Sequence, residues 1–465
     1  MRSALSILKW PAGLLVLLAA AAALWLWLLP PGLIRVGANY AAKIVCSNVY
    51  LADRDPAAVL SEDVQAPGHP LLRLMRVKVE PQAALVRTGL LGVFGDGLAV
   101  FRGGTGCAAV PDGDVAAARG PAIGMPTAHG STDLWPEGTR IDVSDHQRLA
   151  AVLDDAALTG PGMRAVIVVQ DGRIVGERFG AGVMAHDRPL LGWSMTKTVT
   201  AAIVGTLVGA DRLSVDDADL LAEWAGDERA RITVAHLLGM ESGLAFNESY
   251  GGVSDVTRML YLEPDMAAFA AGRPLIHPPG EHFAYSSGTS VILSRVWQNA
   301  FADERQALAW PRRALFGPLG MDTAVLETDA RGTFVGSSYL YASARDWARF
   351  GLLLLQDGVW EGQRILPPGW VEWMRTPTRA SGGEYGRGLW FHGPRVTTPP
   401  WQHQDAGFTL PADAYWMIGH DGQTITVIPS RRLVVLRMGL TPTRLGYKPQ
   451  ALVEAVVGAL DRQEE

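Results

Sequence analysis

The sequence predicts an α+β fold, an α/β sandwich in which helices flank one antiparallel sheet formed by both ends of a long C-terminal region. Near the start of this region, an Asp171-Gly172 turn joins two apolar runs, a pattern typical of a β-hairpin. Further runs of this kind lie near the end of the chain, around a turn at 429–432. Between the two ends the pattern indicates mostly helices and loops, so we expect a helical insert and a single sheet.

Local periodicity justifies each element of the main domain in turn. A helix-like segment covers 144–158, and apolar residues recur at helical spacing over 450–460, where the last helix is expected. The predicted strands are 164–170, 173–179, 415–419, 423–428 and 433–438.

The size and composition of the chain bound its organisation. At 465 residues it exceeds what one hydrophobic core usually serves, so we expect an accessory region beside the main domain. We predict an N-terminal membrane anchor at 1–35, a small strand-rich accessory region at 36–135 and the main domain at 136–465. A hydrophobic content of 48% excludes a disordered chain, and a net charge of −6 without long runs of either sign argues against nucleic-acid binding.

The N-terminal segment has the composition of a membrane helix. There is no charged residue from Trp10 to Ile34, and this stretch is long enough to cross a bilayer. A cleaved signal peptide is the alternative, although its apolar core is usually shorter. Because Arg2 and Lys9 precede the stretch, we expect the N-terminus in the cytoplasm and the rest of the chain on the periplasmic side.

The accessory region contains the only two cysteines. We expect Cys46 and Cys107 to form a disulfide, which an exported compartment would allow; two separate buried thiols are the alternative. Strands are predicted at 74–79, 84–94 and 98–101, with a hairpin turn at Gly95-Asp96-Gly97. The glycine- and proline-containing stretch 120–138 is expected to be a linker.

The most informative motif of the main domain is a serine placed three residues before a lysine. Ser194 and Lys197 begin an apolar, helix-like run, and three residues of helix turn about 300°, which puts both side chains on one face. A neutral lysine at this spacing could accept the serine proton. The spacing alone is weak, since Ser6 and Lys9 share it.

The surroundings of Lys197 strengthen this interpretation. The chain has 5 lysines and 36 arginines, so a lysine in an apolar run is unusual here, and an arginine could not act as a base. Burial and a helix N-terminus both disfavour the charged form of lysine. The alternative is a lysine that merely extends along a core helix behind a serine cap.

Two further motifs follow in an order that is informative. The stretch 278–287 ends in Tyr285-Ser286-Ser287, and Gly419-His420-Asp421-Gly422-Gln423 opens a strand. With the serine–lysine pair and the stretch 236–244, they resemble the serine β-lactamase and penicillin-binding-protein superfamily over about residues 140–460. The resemblance favours class C-like enzymes and their esterase and 6-aminohexanoate-dimer hydrolase relatives.

The resemblance implies a role for each matching position. Ser194 would be the acylated nucleophile, Lys197 its base partner and Tyr285 a second proton carrier. An ammonium near Tyr285 is expected to favour the phenolate, so that the pair shares one proton. The oxyanion hole would consist of the backbone N–H groups of Ser194 and Gln423, and the substrate-binding positions would be His420, Gly422, Ser287 and Tyr250.

Two positions depart from the β-lactamase pattern. His420 lies where β-lactamases have a lysine, and it provides a weaker fixed positive charge for a substrate carboxylate. Ser287 lies where class C enzymes usually have an asparagine. Both departures favour ester or short-amide hydrolysis, and the stretch 247–255 around Tyr250 further resembles the nylon-oligomer hydrolases.

Alternative functions remain open at this stage. A D-Ala-D-Ala peptidase or β-lactamase would act on cell-wall peptides or β-lactams, and a non-catalytic binding protein could retain the fold. The sequence has no H-E-x-x-H helix and no G-x-S-x-G elbow around Ser194, so we predict neither a metal site nor a cofactor. The expected substrate is a small ester, amide or short peptide, and the oligomeric state is left open.

Overall fold

The computed structural model describes residues 9–121, 123–125, 131–141, 146–181 and 187–461. Its helices are α1 (Lys9–Leu28), α2 (Gly32–Ala52), α3 (Pro56–Val59), α4 (Val115–Arg119), α5 (Gln147–Asp154), α6 (Ala156–Thr159), α7 (Thr196–Val208), α8 (Val234–Leu238), α9 (Asp255–Leu262), α10 (Met266–Ala271), α11 (Ser287–Gln298), α12 (Glu304–Pro311), α13 (Ala344–Leu355), α14 (Trp370–Met374) and α15 (Pro449–Asp461). Its strands are β1 (Met75–Glu80), β2 (Leu85–Leu90), β3 (Phe94–Arg102), β4 (Gly106–Ala109), β5 (Met163–Gln170), β6 (Arg173–Phe179), β7 (Leu190–Leu191), β8 (Val325–Leu326), β9 (Leu340–Ala342), β10 (Val359–Trp360), β11 (Gln363–Arg364), β12 (Tyr415–Gly419), β13 (Gln423–Ile428) and β14 (Leu433–Gly439).

A five-stranded antiparallel sheet forms the centre of the main domain, with the order β12-β13-β14-β5-β6. Strand β14 pairs with β5 and places Leu436 opposite Ile167, so the last strand of the chain joins the first strand of the domain. The predicted α+β fold and the sheet built from both ends are therefore confirmed.

Helices cover both faces of this sheet because side chains alternate along each strand. Val166 and Val168 pack with Leu452 of α15 in one apolar cluster. Ile167 and its neighbours on the opposite face pack in another cluster, which includes Trp347 of α13. The sheet is therefore buried on both sides, and its edge strand β12 is the part that reaches the candidate site.

The helix predicted over 144–158 is divided in two. Helices α5 and α6 are separated at Asp155, which has an extended backbone and accepts the Ala157 N–H at 2.8 Å as the cap of α6. Residues 144 and 145 lie outside the described residues, as do 122 and 126–130 of the expected linker and Ser6 of the second serine–lysine match.

A four-stranded sheet, β1 to β4 in sequence order, forms the N-terminal region. The predicted turn at Gly95-Asp96-Gly97 is wrong, because these residues lie within β3. The chain turns at Leu91 and Gly92, both with left-handed φ angles of 55° and 81°. A Cβ added to Gly97 would lie 2.4 Å from the backbone of Ala38, so this glycine permits close packing against a helix.

That helix, α2, runs through the predicted boundary at residue 35 and was not foreseen from the sequence. It packs on the four-stranded sheet, and Cys46 on α2 forms the expected disulfide with Cys107 on β4. Lys43 forms a buried ion pair with Glu327 of the main domain, and the Ser47 hydroxyl donates to the same carboxylate at 2.9 Å. The N-terminal region is thus joined to the main domain by buried polar contacts.

Helix α1 precedes this region and exposes apolar side chains, including Val16 at 68% and Leu17 at 69%. Within the part of the chain whose helices could be examined, no single helix is long and apolar enough to cross a membrane. Residues 13–28 and 32–52 together reach that length and composition, but they are bent by 60° relative to each other. The anchor at 1–35 therefore stays a prediction.

Candidate functional site

The proposed nucleophile lies in a tight turn that leads directly into helix α7. Ser194 follows Trp193, whose φ of +48° places a bulky residue in the left-handed region, where such residues are genuine outliers that concentrate at functional sites. Lys197 is in the first turn of α7, and its Nζ lies 3.1 Å from Ser194 Oγ. The helical spacing thus brings the two groups within hydrogen-bonding distance, as expected.

The environment of Lys197 favours its neutral form. The side chain is buried, and Nζ is within 3.1 Å of three oxygens, those of the Ser194 and Ser287 hydroxyls and the Ser337 carbonyl. Burial lowers the pKa of Lys197 to about 8, against an opposing effect of the Glu248 carboxylate. A lysine with this pKa is partly neutral at physiological pH and can act as a general base.

Tyr285 lies beside this pair. The Lys197 Nζ is 4.6 Å from the centroid of its ring, and the ring packs against Tyr385 and Trp390, with centroids 5.9 and 5.1 Å away. Burial, reinforced by Tyr385, raises the pKa of Tyr285 well above its ordinary value, although a hydrogen bond with the Ser194 side chain opposes the shift. The expectation of a favoured phenolate is therefore wrong, because burial raises the pKa of Tyr285 and favours its neutral phenol.

Glu248 belongs to the same constellation, although the sequence analysis assigned it no role. Its carboxylate accepts the Ser287 N–H at 2.8 Å, the Ser287 hydroxyl at 2.5 Å and the Tyr250 hydroxyl at 3.3 Å. Since Lys197 Nζ donates to Ser287 Oγ, one hydroxyl bridges the ammonium and the carboxylate. In the sequence, the only indication of a role for Glu248 is its position in the stretch 247–255, which resembles the nylon-oligomer hydrolases.

Ser287 therefore occupies a different position from the one predicted. It was expected to bind substrate, but its side chain is fully buried and is not among the residues that line the cavity beside Ser194. Its hydroxyl is occupied between Lys197 and Glu248. The first turn of helix α11, capped by Ser286, holds it there, so its position indicates internal support of Lys197.

The segment after strand β12 lies opposite the nucleophile. A Cβ added to Gly419 would lie 2.3 Å from the carbonyl oxygen of Gly192, so the edge of the sheet touches the turn that holds Ser194. His420, with 46% of its side chain exposed, lies with its ring centroid 5.8 Å from that of Trp193 and 5.1 Å from that of Tyr250. His420 and Tyr250 thus form one side of the site.

Gly422 and Gln423 complete this segment. Gly422 has a φ of +79°, and a Cβ there would lie 2.9 Å from Nη1 of the buried Arg437, so its backbone conformation and the arginine behind it both require glycine. The Gln423 side chain bonds the backbone of Gly439 in both directions, which fixes the start of strand β13. Gln423 borders the cavity together with Ser194, as the predicted oxyanion hole needs.

These groups surround a cavity of about 440 Å³, which falls in the usual size range of small-molecule sites. Its wall carries the carboxylates of Glu248, Glu384 and Asp421, beside Arg395 and His420. The predicted site residues that line it are Ser194, Tyr250, Tyr285, His420, Gly422 and Gln423.

A cluster that could hold a metal ion lies next to the cavity and was not predicted. The ligand atoms of His392, His403 and Asp405 are within 4.8 Å of one another. Several of their polar atoms have partners within the chain: His403 Nδ1 accepts the Asp405 N–H at 3.2 Å, Asp405 accepts the Gly393 N–H at 3.0 Å, and His392 Nδ1 lies 3.3 Å from the Asp405 carboxylate. The cluster is therefore explained as a network that holds the loop.

Comparison with known proteins places the chain among related sequences and folds. The β-lactamase family profile matches residues 155–445. A 6-aminohexanoate-dimer hydrolase from Paenarthrobacter ureafaciens is 27% identical over 227 residues, which cover 45% of this chain and 56% of the relative. The chain thus spans little more than half the length of this curated relative.

Solved structures share the fold at low sequence identity. A protein from Bacillus anthracis assigned as a 6-aminohexanoate-dimer hydrolase aligns with a TM-score of 0.51 at 21% identity, over 70% of this chain and 86% of that one. A protein from Bacteroides dorei assigned as a β-lactamase gives a TM-score of 0.53 at 20% identity, over 68% and 98% of the two chains.

Proposed function

Because the chain belongs to the β-lactamase family of serine hydrolases, we propose that it hydrolyses an ester or short amide through an acyl-enzyme on Ser194. The observation that carries the proposal is the buried Lys197, whose pKa is lowered to about 8 and whose Nζ is 3.1 Å from Ser194 Oγ. A binding protein has no chemical need for a partly neutral lysine at hydrogen-bonding distance from a serine hydroxyl.

The proposed reaction has two steps that use the same groups. Neutral Lys197 accepts the proton of Ser194 as Oγ attacks the carbonyl carbon, and the backbone N–H groups of Ser194 and Gln423 stabilise the oxyanion. Loss of one such donor typically costs about 3 kcal/mol of transition-state stabilisation. The neutral phenol of Tyr285 then donates a proton to the leaving group and is reprotonated from the Lys197 ammonium. Water, deprotonated by the same pair, releases the acyl group.

The charges around the cavity support an uncharged or cationic substrate. Glu248, Glu384 and Asp421 line the wall, against one arginine and the histidine. A substrate carboxylate would meet His420 where β-lactamases provide a lysine. The relative named 6-aminohexanoate-dimer hydrolase supports an amide as one of the bonds that this chain cleaves. A β-lactam or D-Ala-D-Ala peptide, both of which carry a carboxylate, fits this wall less well.

The proposal includes an enzyme anchored in the membrane with its site on the periplasmic side. The uncharged stretch from Trp10 to Ile34 and the exposed leucines of α1 support the anchor. The Cys46–Cys107 disulfide agrees with an oxidising compartment. The test is extraction of the full chain from membranes at alkaline pH: retention in the membrane supports the anchor, and a mature N-terminus beginning after residue 30 contradicts it.

Active-site labelling tests the proposed nucleophile. Wild-type protein and the Ser194→Ala variant are treated with a fluorescent fluorophosphonate and, separately, with a fluorescent penicillin. We expect fluorophosphonate labelling that Ser194→Ala abolishes, while the exposed Ser61→Ala control retains it. Labelling by penicillin alone favours the peptidase or β-lactamase alternative. Folded protein that gives no Ser194-dependent adduct with either reagent would refute nucleophilic catalysis.

A further inference from the structure

A second cavity, here called the apolar chamber, lies next to the candidate site. Its volume is about 570 Å³, again within the range of ligand pockets. It is bounded by helix α2, by the turn 67–73 that precedes strand β1, by helix α9 and by the segment 250–252. The N-terminal region and the main domain therefore build it together.

The lining of the chamber is mostly carbon. The apolar side chains that face it come from both parts of the chain: Leu33, Val36, Leu71, Leu72, Trp193 and Tyr261. Its charged neighbours are Arg73, Arg444 and Asp421, and His69 and His420 also line it. Arg73 is exposed, and Arg444 is occupied by the backbone carbonyls of Pro67 and Ala66. An apolar ligand bound here would therefore leave Arg73 in solvent and Arg444 in its hydrogen bonds.

The chamber adjoins the candidate site, and the two cavities share part of their lining. Tyr250, His420, Asp421 and Thr443 line both cavities. Trp193, the residue before the nucleophile, faces the chamber, whereas Ser194 faces the first cavity. A molecule whose carbonyl carbon is at Ser194 therefore has the chamber beside it, on the other side of the Tyr250 and His420 side chains.

We propose that the apolar chamber receives an acyl or alkyl chain of the substrate while Ser194 attacks the carbonyl group that carries this chain. The inference rests on the proposed hydrolase function and adds the substrate class, an amphiphilic ester or amide. A chain without charges matches the leucine, valine and aromatic lining. The position of the chamber close to the proposed membrane anchor agrees with an amphiphilic substrate. Leu33, which lines the chamber, lies in the first turn of α2, five residues after the apolar helix α1 ends.

Chain-length dependence of hydrolysis tests the proposal. Full-length protein in lipid nanodiscs is assayed with 4-nitrophenyl esters of two- to ten-carbon acids and with two- to ten-carbon alkyl acetates, all below their micelle concentrations. Burial of one methylene is worth about 0.8 kcal/mol, so kcat/KM should rise about three- to four-fold per methylene in one of the two series.

A matched pair of variants separates the chamber from simple partition into the bilayer. Leu71 lines the chamber, whereas Leu74, three residues later in the same turn, is 45% exposed and does not. Leu71→Asp should flatten the series and leave two-carbon esters unaffected, while Leu74→Asp should retain the rise. Gly252→Leu serves as a second variant, because an added Cβ meets no atom within 4 Å and the side chain narrows the chamber.

The possible outcomes separate this inference from the proposed function. Hydrolysis of short esters that depends on Ser194, with no rise along either series, overturns the chamber and leaves the hydrolase intact. A rise that Leu74→Asp removes as fully as Leu71→Asp also overturns it. If Ser194→Ala hydrolyses every ester as fast as the wild type, the proposed function itself fails.

Discussion

The acidity of Lys197 makes the pH dependence of catalysis the sharpest test of the site. With a pKa of about 8, about a tenth of Lys197 is neutral at pH 7, roughly three hundred times more than for a lysine at its ordinary pKa. If neutral Lys197 accepts the serine proton, kcat/KM should fall about ten-fold per pH unit below pH 8 and level off above it.

Glu248 affects the pH at which this fall in kcat/KM begins, here called the acidic limb of the profile. Its carboxylate raises the pKa of Lys197, and one serine hydroxyl bridges the two groups through contacts of 3.1 and 2.5 Å. An opposite charge at such range typically shifts a pKa by about 1 to 3 units. Glu248 is only half-buried, so we expect the low end. Glu248→Gln, which retains hydrogen-bonding atoms, should therefore move the limb about 1 unit to lower pH.

The assay is kcat/KM for one short ester between pH 5.5 and 10, with circular dichroism at each pH to exclude unfolding. Glu384→Gln is the matched control, because Glu384 also lines the cavity but does not contribute to the pKa of Lys197. A limb that stays in place in Glu248→Gln, or that moves equally in Glu384→Gln, refutes the assignment of Lys197 as the base.

Three further changes test the base and the link between the two regions. Lys197→Arg should lower kcat by about 10² to 10⁴, as measured with short esters, because an arginine cannot be deprotonated; a smaller loss contradicts the proposed base. Lys43→Met leaves the buried Glu327 carboxylate without its cation and should lower the free energy of unfolding in urea by about 3 to 5 kcal/mol. Adding Glu327→Gln to this variant should recover part of the loss. An equal loss in the single and the double variant would argue against the ion pair. The disulfide closes a loop of 61 residues, so Cys46→Ala with Cys107→Ala should lower the free energy of unfolding by about 4 kcal/mol in the same titration; an unchanged free energy would contradict this stabilisation.

Local signals were sufficient to predict the centre of the fold and the core of the site. Strands β5 and β13 contain runs of β-branched residues, 166–169 and 424–428, which favour strands over helices, and the strands of both ends pair as predicted. Ser194 and Lys197 are three residues apart where a tight turn leads into helix α7, so local backbone geometry brings their side chains to one side. Tyr285 required the order of motifs along the chain as additional information, because an isolated tyrosine has no such constraint.

Other features depend on contacts that the local sequence does not encode. Helix α2 begins at Gly32, inside the uncharged stretch that indicates an anchor, and has small residues such as Gly37 and Ala38 where it meets the sheet. The glycine at 97 is explained by the approach of this helix, whereas the same residue in isolation is typical of a turn. Burial reversed the expected acidity of Tyr285 for the same reason, since aromatic neighbours distant in sequence enclose it.

The N-terminal region also has a physical connection to the nucleophile. Lys43 on helix α2 lies with Nζ 4.0 Å from the centroid of the Tyr339 ring, and Tyr339 packs against Trp193 with ring centroids 6.2 Å apart. Trp193 precedes Ser194 and keeps an unfavourable left-handed φ, a conformation that persists only where surrounding packing enforces it. Helix α2 thus contacts the strained turn through Tyr339 and also lines the chamber beside it, so the region that shapes the proposed chain-binding cavity is one contact away from the turn that contains Ser194.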